Sequence, residues 1–379
     1  MASEQARALH VGTRKGLLTY GRERGLWQLG ATAFLGEPVS AILPDPRDGA
    51  LYVALNLGHF GVKLHRSDDG GASWKELPAP AFAAAPAPSG TPDDGTGTPD
   101  DGTGAPSVSL IWTLVAGGAD RPGEIWAGTI PGGLFRSADR GESWSLIESL
   151  WTHPAREKWL GGGYDDPGIH SICVDPRDSR KMILGVSTGG VWRTDDGAGS
   201  WTIATGMRNA YMPPGQEYDP IFQDAHRLSH CAGAPDTVWC QHHNGIFRST
   251  DGARSFTEIT ADAPSLFGFA VLAHPDDPDT AWFVPAVKDE CRIPVDRRLV
   301  VTRTRDGGES FETLSAGLPE VPSFDLVYRH GFDLDPAGGR LAMGSTTGNL
   351  WIGDDFGETW LPVANHLPPI AQVVWSQAG

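Results

Sequence analysis

Short apolar runs separated by turns bearing glycine, proline and aspartate recur along nearly the whole chain. The clearest set lies at residues 169–174, 182–187, 190–194 and 201–204, each too short for a helix and rich in β-branched and aromatic residues. The pattern predicts four strands, A to D. Asp175-Pro176-Arg177-Asp178 turns A into B, with proline where its fixed φ suits the turn. Similar turns stand at Asp45-Pro46-Arg47-Asp48, Pro275-Asp276-Asp277-Pro278 and Asp335-Pro336. Glycine-bearing B-to-C turns follow at Pro131-Gly132-Gly133, Thr188-Gly189-Gly190, His243-Asn244-Gly245 and Thr347-Gly348-Asn349.

The C-to-D turn carries the sharpest signal. Ser137-Ala138-Asp139-Arg140-Gly141-Glu142-Ser143-Trp144 reads Ser-x-Asp-x-Gly-x-Ser-Trp. Gly141 supplies the left-handed position, and Asp139 can accept backbone N–H groups that the turn leaves unpaired. Trp144 then re-enters the sheet and is expected to bury a large apolar surface. The unit recurs around Asp69 and Asp306, and around Asp196 and Asp251 with Ala198 and Ala253 in the glycine position. Around Asp355 the first hydroxyl is lost, and residues 20–27 keep only the strand, turn and tryptophan frame. All six aspartates read as structural. The closing aromatics are Trp27, Trp74, Trp144, Trp201, Phe256, Phe311 and Trp360, which gives seven repeats of about 50 residues, the mark of a propeller.

The ends predict closure. The chain begins at a B strand (residues 9–13) and ends on an unattached A strand (residues 370–375), so pairing them completes the first blade and leaves no open edge. The fold class is therefore all-β: a seven-bladed β-propeller of four-stranded antiparallel blades in one domain. Its expected blades are 8–30 with 369–376, then 38–78, 107–148, 168–205, 225–260, 267–315 and 327–364. A low-complexity insertion at 79–106 holds two identical copies, 91–97 and 98–104, and reads as a disordered surface loop rather than a calcium site. A second insertion, 284–298, lengthens a B-to-C connection.

These motifs resemble the Asp-box (BNR) repeats of sialidase-like β-propellers, a superfamily that also includes sortilin, some xyloglucan hydrolases and a photosystem II assembly factor. The resemblance covers almost the whole chain. It is specific for a fold, whose members do different things.

Composition narrows the partners. Forty-seven acidic against 30 basic residues give a net charge of −17, which repels phosphate backbones and argues against nucleic acid. Cys173, Cys231, Cys240 and Cys291 show no metal-ligand spacing and read as free thiols, with a Cys231–Cys240 cross-strand pair as the alternative. No run is long enough to span a bilayer, and residues 1–10 lack a signal-like apolar run, so the expectation is a cytoplasmic monomer.

Strand polarity places D-to-A and B-to-C loops on one face and the Asp turns on the other. The loop-rich face gathers His170, His226 with Arg227, and Arg329 with His330 at A-strand starts. His242 and His243 end a B strand, and His59, Arg14 and Lys15 lie in B-to-C loops. Asp165 and Asp166 could supply acid beside them. Convergence at the central channel makes this the candidate site.

Three functions fit. A sialidase-like glycosidase would use Arg227, Arg292 and Arg329 to clamp a carboxylate and Asp165 or Asp166 as acid. The resemblance weakens here: sialidases resemble six-bladed rings. Their Arg-Ile-Pro signature opens the first blade, whereas Cys291-Arg292-Ile293-Pro294 falls in the sixth. The second is another hydrolase or a lyase, with His170, His226 and His243 as acid and base or as ligands of a divalent metal, and His330 and His59 beside the substrate. The third is a non-catalytic scaffold holding a protein segment against Tyr164, Tyr211 and Phe222. The sequence favours a small-molecule or carbohydrate hydrolase, with the scaffold second.

Overall fold

The computed structural model describes residues 7–83, 106–335 and 339–377. The tandem copies at 91–97 and 98–104 lie outside the described residues. Twenty-eight strands form seven four-stranded antiparallel sheets, the blades of one propeller. The fourth blade runs Ile169–Val174, Met182–Val186, Gly190–Thr194 and Thr202–Ile203, innermost to outermost.

Closure occurs as the ends implied. Arg7–Thr13 lies between Gly16–Glu23 and Ile370–Gln377, antiparallel to both, with Leu9 opposite Trp375 and Val11 opposite Val373. The His10 ring links the three strands, its Nδ1 3.0 Å from Thr19 Oγ1 and its Nε2 2.8 Å from Ser376 Oγ. Burial pushes its pKa down to about 4, so the link is neutral.

The apolar core lies between blades rather than in a central plug. Trp282, Val284 and Val301 of the sixth blade pack with Phe332, Met343, Trp351 and Trp360 of the seventh. Leu9, Val11 and Leu18 of the first pack with Leu350 and Ile352 of the seventh and with Val373 and Trp375 of the closing strand. Trp192, Trp239 and Trp282, on B and C strands, are the largest fully buried side chains. Among the closing aromatics Trp201, Phe256 and Trp360 are buried, whereas Trp27, Trp74, Trp144 and Phe311 are only half-buried at the outer strand. The burial expected of Trp144 is therefore partial, and its indole donates to the Pro78 carbonyl at 3.0 Å.

The repeated turns show why the aspartate is needed. Ser67 Oγ donates to Asp69 Oδ1 at 2.7 Å and receives the Gly71 N–H. Asp69 in turn accepts the Ser73 N–H at 2.8 Å and the Ser73 hydroxyl at 2.5 Å. Asp139, Asp196, Asp251 and Asp306 repeat the set. These bonds hold Ala198 (φ 70°) and Ala253 (φ 58°) left-handed where other copies use glycine. Two copies depart from the pattern. Asp355 itself turns left-handed (φ 51°) in the short helix Asp355–Gly357, because Gly353 offers no hydroxyl to brace it. Residues 20–27 make a two-residue hairpin, with Glu23 opposite Leu26 and Arg24 and Gly25 both left-handed.

One strand assignment changes. Arg329 and His330 do not start the innermost strand of the seventh blade, which is Phe332–Leu334. They precede it in a turn closed by the Gly331 N–H on the Tyr328 carbonyl at 2.7 Å. Short helices Glu148–Trp151 and Pro154–Lys158, not expected from the pattern, join blades three and four. Cys240 stands opposite Leu228 rather than Cys231, and all four thiols are free. No helix among the described residues is long and apolar enough to cross a membrane.

Candidate functional site

Each innermost strand begins beside the axis on the loop-rich face, so side chains at those starts converge. Five blades contribute: Trp112 from the third, Tyr164 and His170 from the connection into the fourth and its first strand, Asp224, His226 and His243 from the fifth, Phe267, Phe269 and Arg292 from the sixth, and Tyr328 and Arg329 from the turn into the seventh.

The core of the site is Asp224, His226 and His243, whose ligating atoms all lie within 4.8 Å of one another. His243 Nδ1 is 3.3 Å from Asp224 Oδ2, and His226 Nε2 is 3.9 Å from the same oxygen. Main-chain pairing fixes the spacing, since the His243 N–H donates to the Asp224 carbonyl at 2.9 Å. The His226 ring is held by its Nδ1–H on the Gly268 carbonyl at 2.7 Å and stacks on Phe269 at 4.5 Å. That bond leaves Nε2 with a bare lone pair directed into the cluster. Asp224 Oδ1 is buried with no hydrogen-bond partner among the described residues.

Electrostatics follow from burial. Desolvation alone pushes the Asp224 carboxyl up, but the His243 hydrogen bond and the neighbouring imidazoles outweigh it and hold the group below the ordinary carboxylate range. Burial drives His226 down to about 3, so it is neutral. Arg329 stands beside them without an ion-pair partner among the described residues. Its guanidinium lies 4.9 Å from the Trp112 ring and 5.6 Å from Phe269, and its Nε is buried with no hydrogen-bond partner. Burial lowers its pKa, opposed chiefly by the field of Asp224. Arg292 reaches the same wall, 5.3 Å from the Phe269 ring and 3.1 Å from the Tyr328 hydroxyl, while paired with Asp289 at 2.6 Å.

Several expected residues do other work. His170 is fully buried; its Nε2 donates to the Ala225 carbonyl at 2.7 Å and its Nδ1 accepts from Ser171 Oγ at 2.9 Å. Both ring nitrogens are engaged in hydrogen bonds, and His170 stands outside the cluster, in which Asp224 takes its expected place beside His226 and His243. His330 donates to the His170 carbonyl at 2.9 Å and is likewise structural. Asp165 and Asp166 stay exposed in the loop that carries Tyr164, outside the cluster, and Asp166 instead acts on Arg156. His59 is exposed in Gly58–Phe60 with its ring on Phe60, 3.9 Å between centroids, away from the cluster. Arg227 is desolvated beside Asp333, with one guanidinium nitrogen buried and unpaired.

The residues not anticipated are Asp224, Phe267, Phe269, Tyr328 and Trp112. A signal existed for Asp224: Asp224-Ala225-His226 places a carboxylate two residues before a histidine where a strand begins.

No protein-family model matches the chain. A Neosartorya fischeri protein named "Probable oligoxyloglucan-reducing end-specific xyloglucanase" is 23% identical over 268 residues, 63% of this chain and 30% of that protein, so the chain spans under a third of its length. The xyloglucanase structure from Xanthomonas campestris superposes with a TM-score of 0.63 at 17% identity, covering 96% of this chain and 53% of that one. YCF48 bound to D1 peptide superposes at 0.51 and 13% identity, over 96% and 85%. The likenesses show a fold shared by glycosidases and a peptide binder, so the site must decide between them.

Proposed function

We propose that the chain is a hydrolase of small, anionic, carbohydrate-like substrates, working in the axial funnel on the loop-rich face. The observation that carries this reading is Arg329, a desolvated cation with an unpaired Nε, standing next to Asp224 and its histidines. A half-buried cation whose Nε is buried and unpaired lacks a counter-charge that a bound anion would supply. In a chain of net charge −17 such a site is a local exception. The partly exposed rings of Tyr164 and Tyr328, backed by the buried Trp112 and Phe269, give apolar faces on which the carbon face of a sugar can rest. The xyloglucanase relatives, also propellers that act on carbohydrate, support the substrate class.

The reaction follows from the cluster. A water held against Asp224 and His243 gives its proton to that pair while its oxygen bonds to the carbon bearing the leaving oxygen. That carbon–oxygen bond breaks, and the leaving oxygen takes the proton back. Arg329 holds the substrate's anionic group and fixes which bond meets the water.

The test is turnover across glycosides, lactones and esters, each with and without a carboxylate or phosphate. The anionic members are expected to be hydrolysed, with Asp224→Asn losing kcat. Arg329→Met should raise KM roughly 10- to 150-fold, the range of one charge-assisted hydrogen bond. No turnover on any member, together with binding of peptides at the funnel, would overturn the reading in favour of a scaffold.

A further inference from the structure

We infer that Asp224, His226 and His243 hold one divalent first-row transition ion, which makes this cluster the water-activating centre of the funnel. The inference deepens the hydrolase reading and rests on it only for the ion's role, not for its binding. Three observations carry it. The donor set is two imidazoles and one carboxylate, a combination that binds such ions and leaves positions open for water. Their ligating atoms are already gathered within 4.8 Å, with His243 Nδ1 3.3 Å and His226 Nε2 3.9 Å from Asp224 Oδ2. An ion with bonds of about 2.1 Å to each needs these atoms about 3.0–3.4 Å apart, a small closing movement.

The surroundings match what metal-bound histidines show. The Nδ1–H of His226 is given to the Gly268 carbonyl, which fixes the tautomer with Nε2 free to ligate, the usual arrangement around a bound ion. Phe269 and Phe267 pack against the His226 ring and hold its plane. Asp224 Oδ1 is buried without a partner, so the carboxylate has an oxygen to receive a proton from ion-bound water when Oδ2 ligates. One carboxylate and a dication leave a net positive centre beside Arg329, so a bound ion increases the site's demand for an anionic substrate. His170, with both nitrogens engaged, is no ligand.

The experiment is titration of the chelator-treated full-length chain with Zn²⁺ by calorimetry, repeated with Co²⁺ followed by visible absorption. Expected are one ion per chain, a rise in the melting temperature, and a Co²⁺ spectrum of imidazole and carboxylate ligation. His226→Ala and His243→Ala should each weaken binding by at least about 100-fold, and His366→Ala, at an exposed histidine, should not. Circular dichroism of the ion-free variants checks that they fold, and Asp224→Asn serves if an alanine variant does not. Absence of a stoichiometric site, or a site that survives both histidine changes, overturns the inference. The two readings separate: full turnover by ion-free protein would remove the ion's part in water activation and leave the hydrolase, whereas a bound ion without turnover would remove the hydrolase and leave the metal site.

Discussion

Trp375→Ala tests ring closure directly. Trp375 is 7% exposed on the closing strand, opposite Leu9, packed with Val11, Ile352 and Val373 and edge-on to Trp27 at 5.2 Å. Truncating a buried tryptophan removes about 3–5 kcal/mol. At about 2.1 cal/mol/K per residue, 379 residues have an unfolding entropy of about 0.8 kcal/mol/K, so melting should fall by roughly 4–6 °C. Phenylalanine discriminates further. Trp375 Nε1 is buried without a partner, so Phe keeps most of the apolar area and discards an orphan donor. Trp375→Phe should therefore stay within about 1.5 kcal/mol, under about 2 °C. Calorimetry in one buffer reads both. A change below 1 °C for Trp375→Ala, or equal damage from both variants, would refute the reasoning.

Two further outcomes follow from titratable groups. The serine hydrogen bonds hold Asp69, Asp196 and Asp306 down at about 2, so each remains ionised well into acid. A depressed folded value means the turns' contribution is complete above the unfolded carboxyl pKa and is lost as pH falls towards 2. Ser73→Ala should raise the Asp69 titration seen by carboxyl-carbon NMR and move acid unfolding to higher pH; an Asp69 midpoint near 4 in the unmodified chain would contradict this. Burial pushes the Cys173 thiol up to about 12 and raises Cys231 and Cys240, leaving half-exposed Cys291 as the accessible thiol. One equivalent should react with a thiol reagent natively and four in denaturant; more than one native equivalent would count against the packing around those sulfurs.

The ring was legible because its signals are local. Each Asp turn is eight residues long and carries its own hydrogen-bond acceptor, and the unpaired first and last strands declare one another by subtraction. The seventh blade's innermost strand was misplaced because Arg329 and His330 extend a strand-like pattern, while Gly331 and the Tyr328 carbonyl bend it into a turn. The geometry of the candidate cluster was half-legible. Which face it occupies follows from strand polarity, and His226 and His243 follow from their places at strand ends. Partner choice does not, because Asp224 and His243 meet across a strand pair and Arg329 arrives from a blade two positions away. Periodicity carries no record of such distances.

The histidines misled for a physical reason that the innermost strands make plain. An A strand has no neighbour on its axial side, so carbonyls there point into the channel unpaired, and each needs a donor. His330 gives its Nε2–H to His170, His170 gives its own to Ala225, and His226 gives its Nδ1–H to Gly268. Carbonyls on three innermost strands are capped in succession, and the closing strand joins the chain through the Val373 N–H on the His330 carbonyl at 2.9 Å. Histidine suits this duty because a neutral ring offers one donor on a rigid arm. Two of the three are consumed by it, since His170 also spends Nδ1 on Ser171 and the buried ring of His330 lies in the field of two cations, Arg227 and Arg329. His226 alone caps a carbonyl with one nitrogen while turning the other towards a carboxylate. That asymmetry, rather than the number of histidines on the face, is what singles out the fifth blade's cluster as the candidate site.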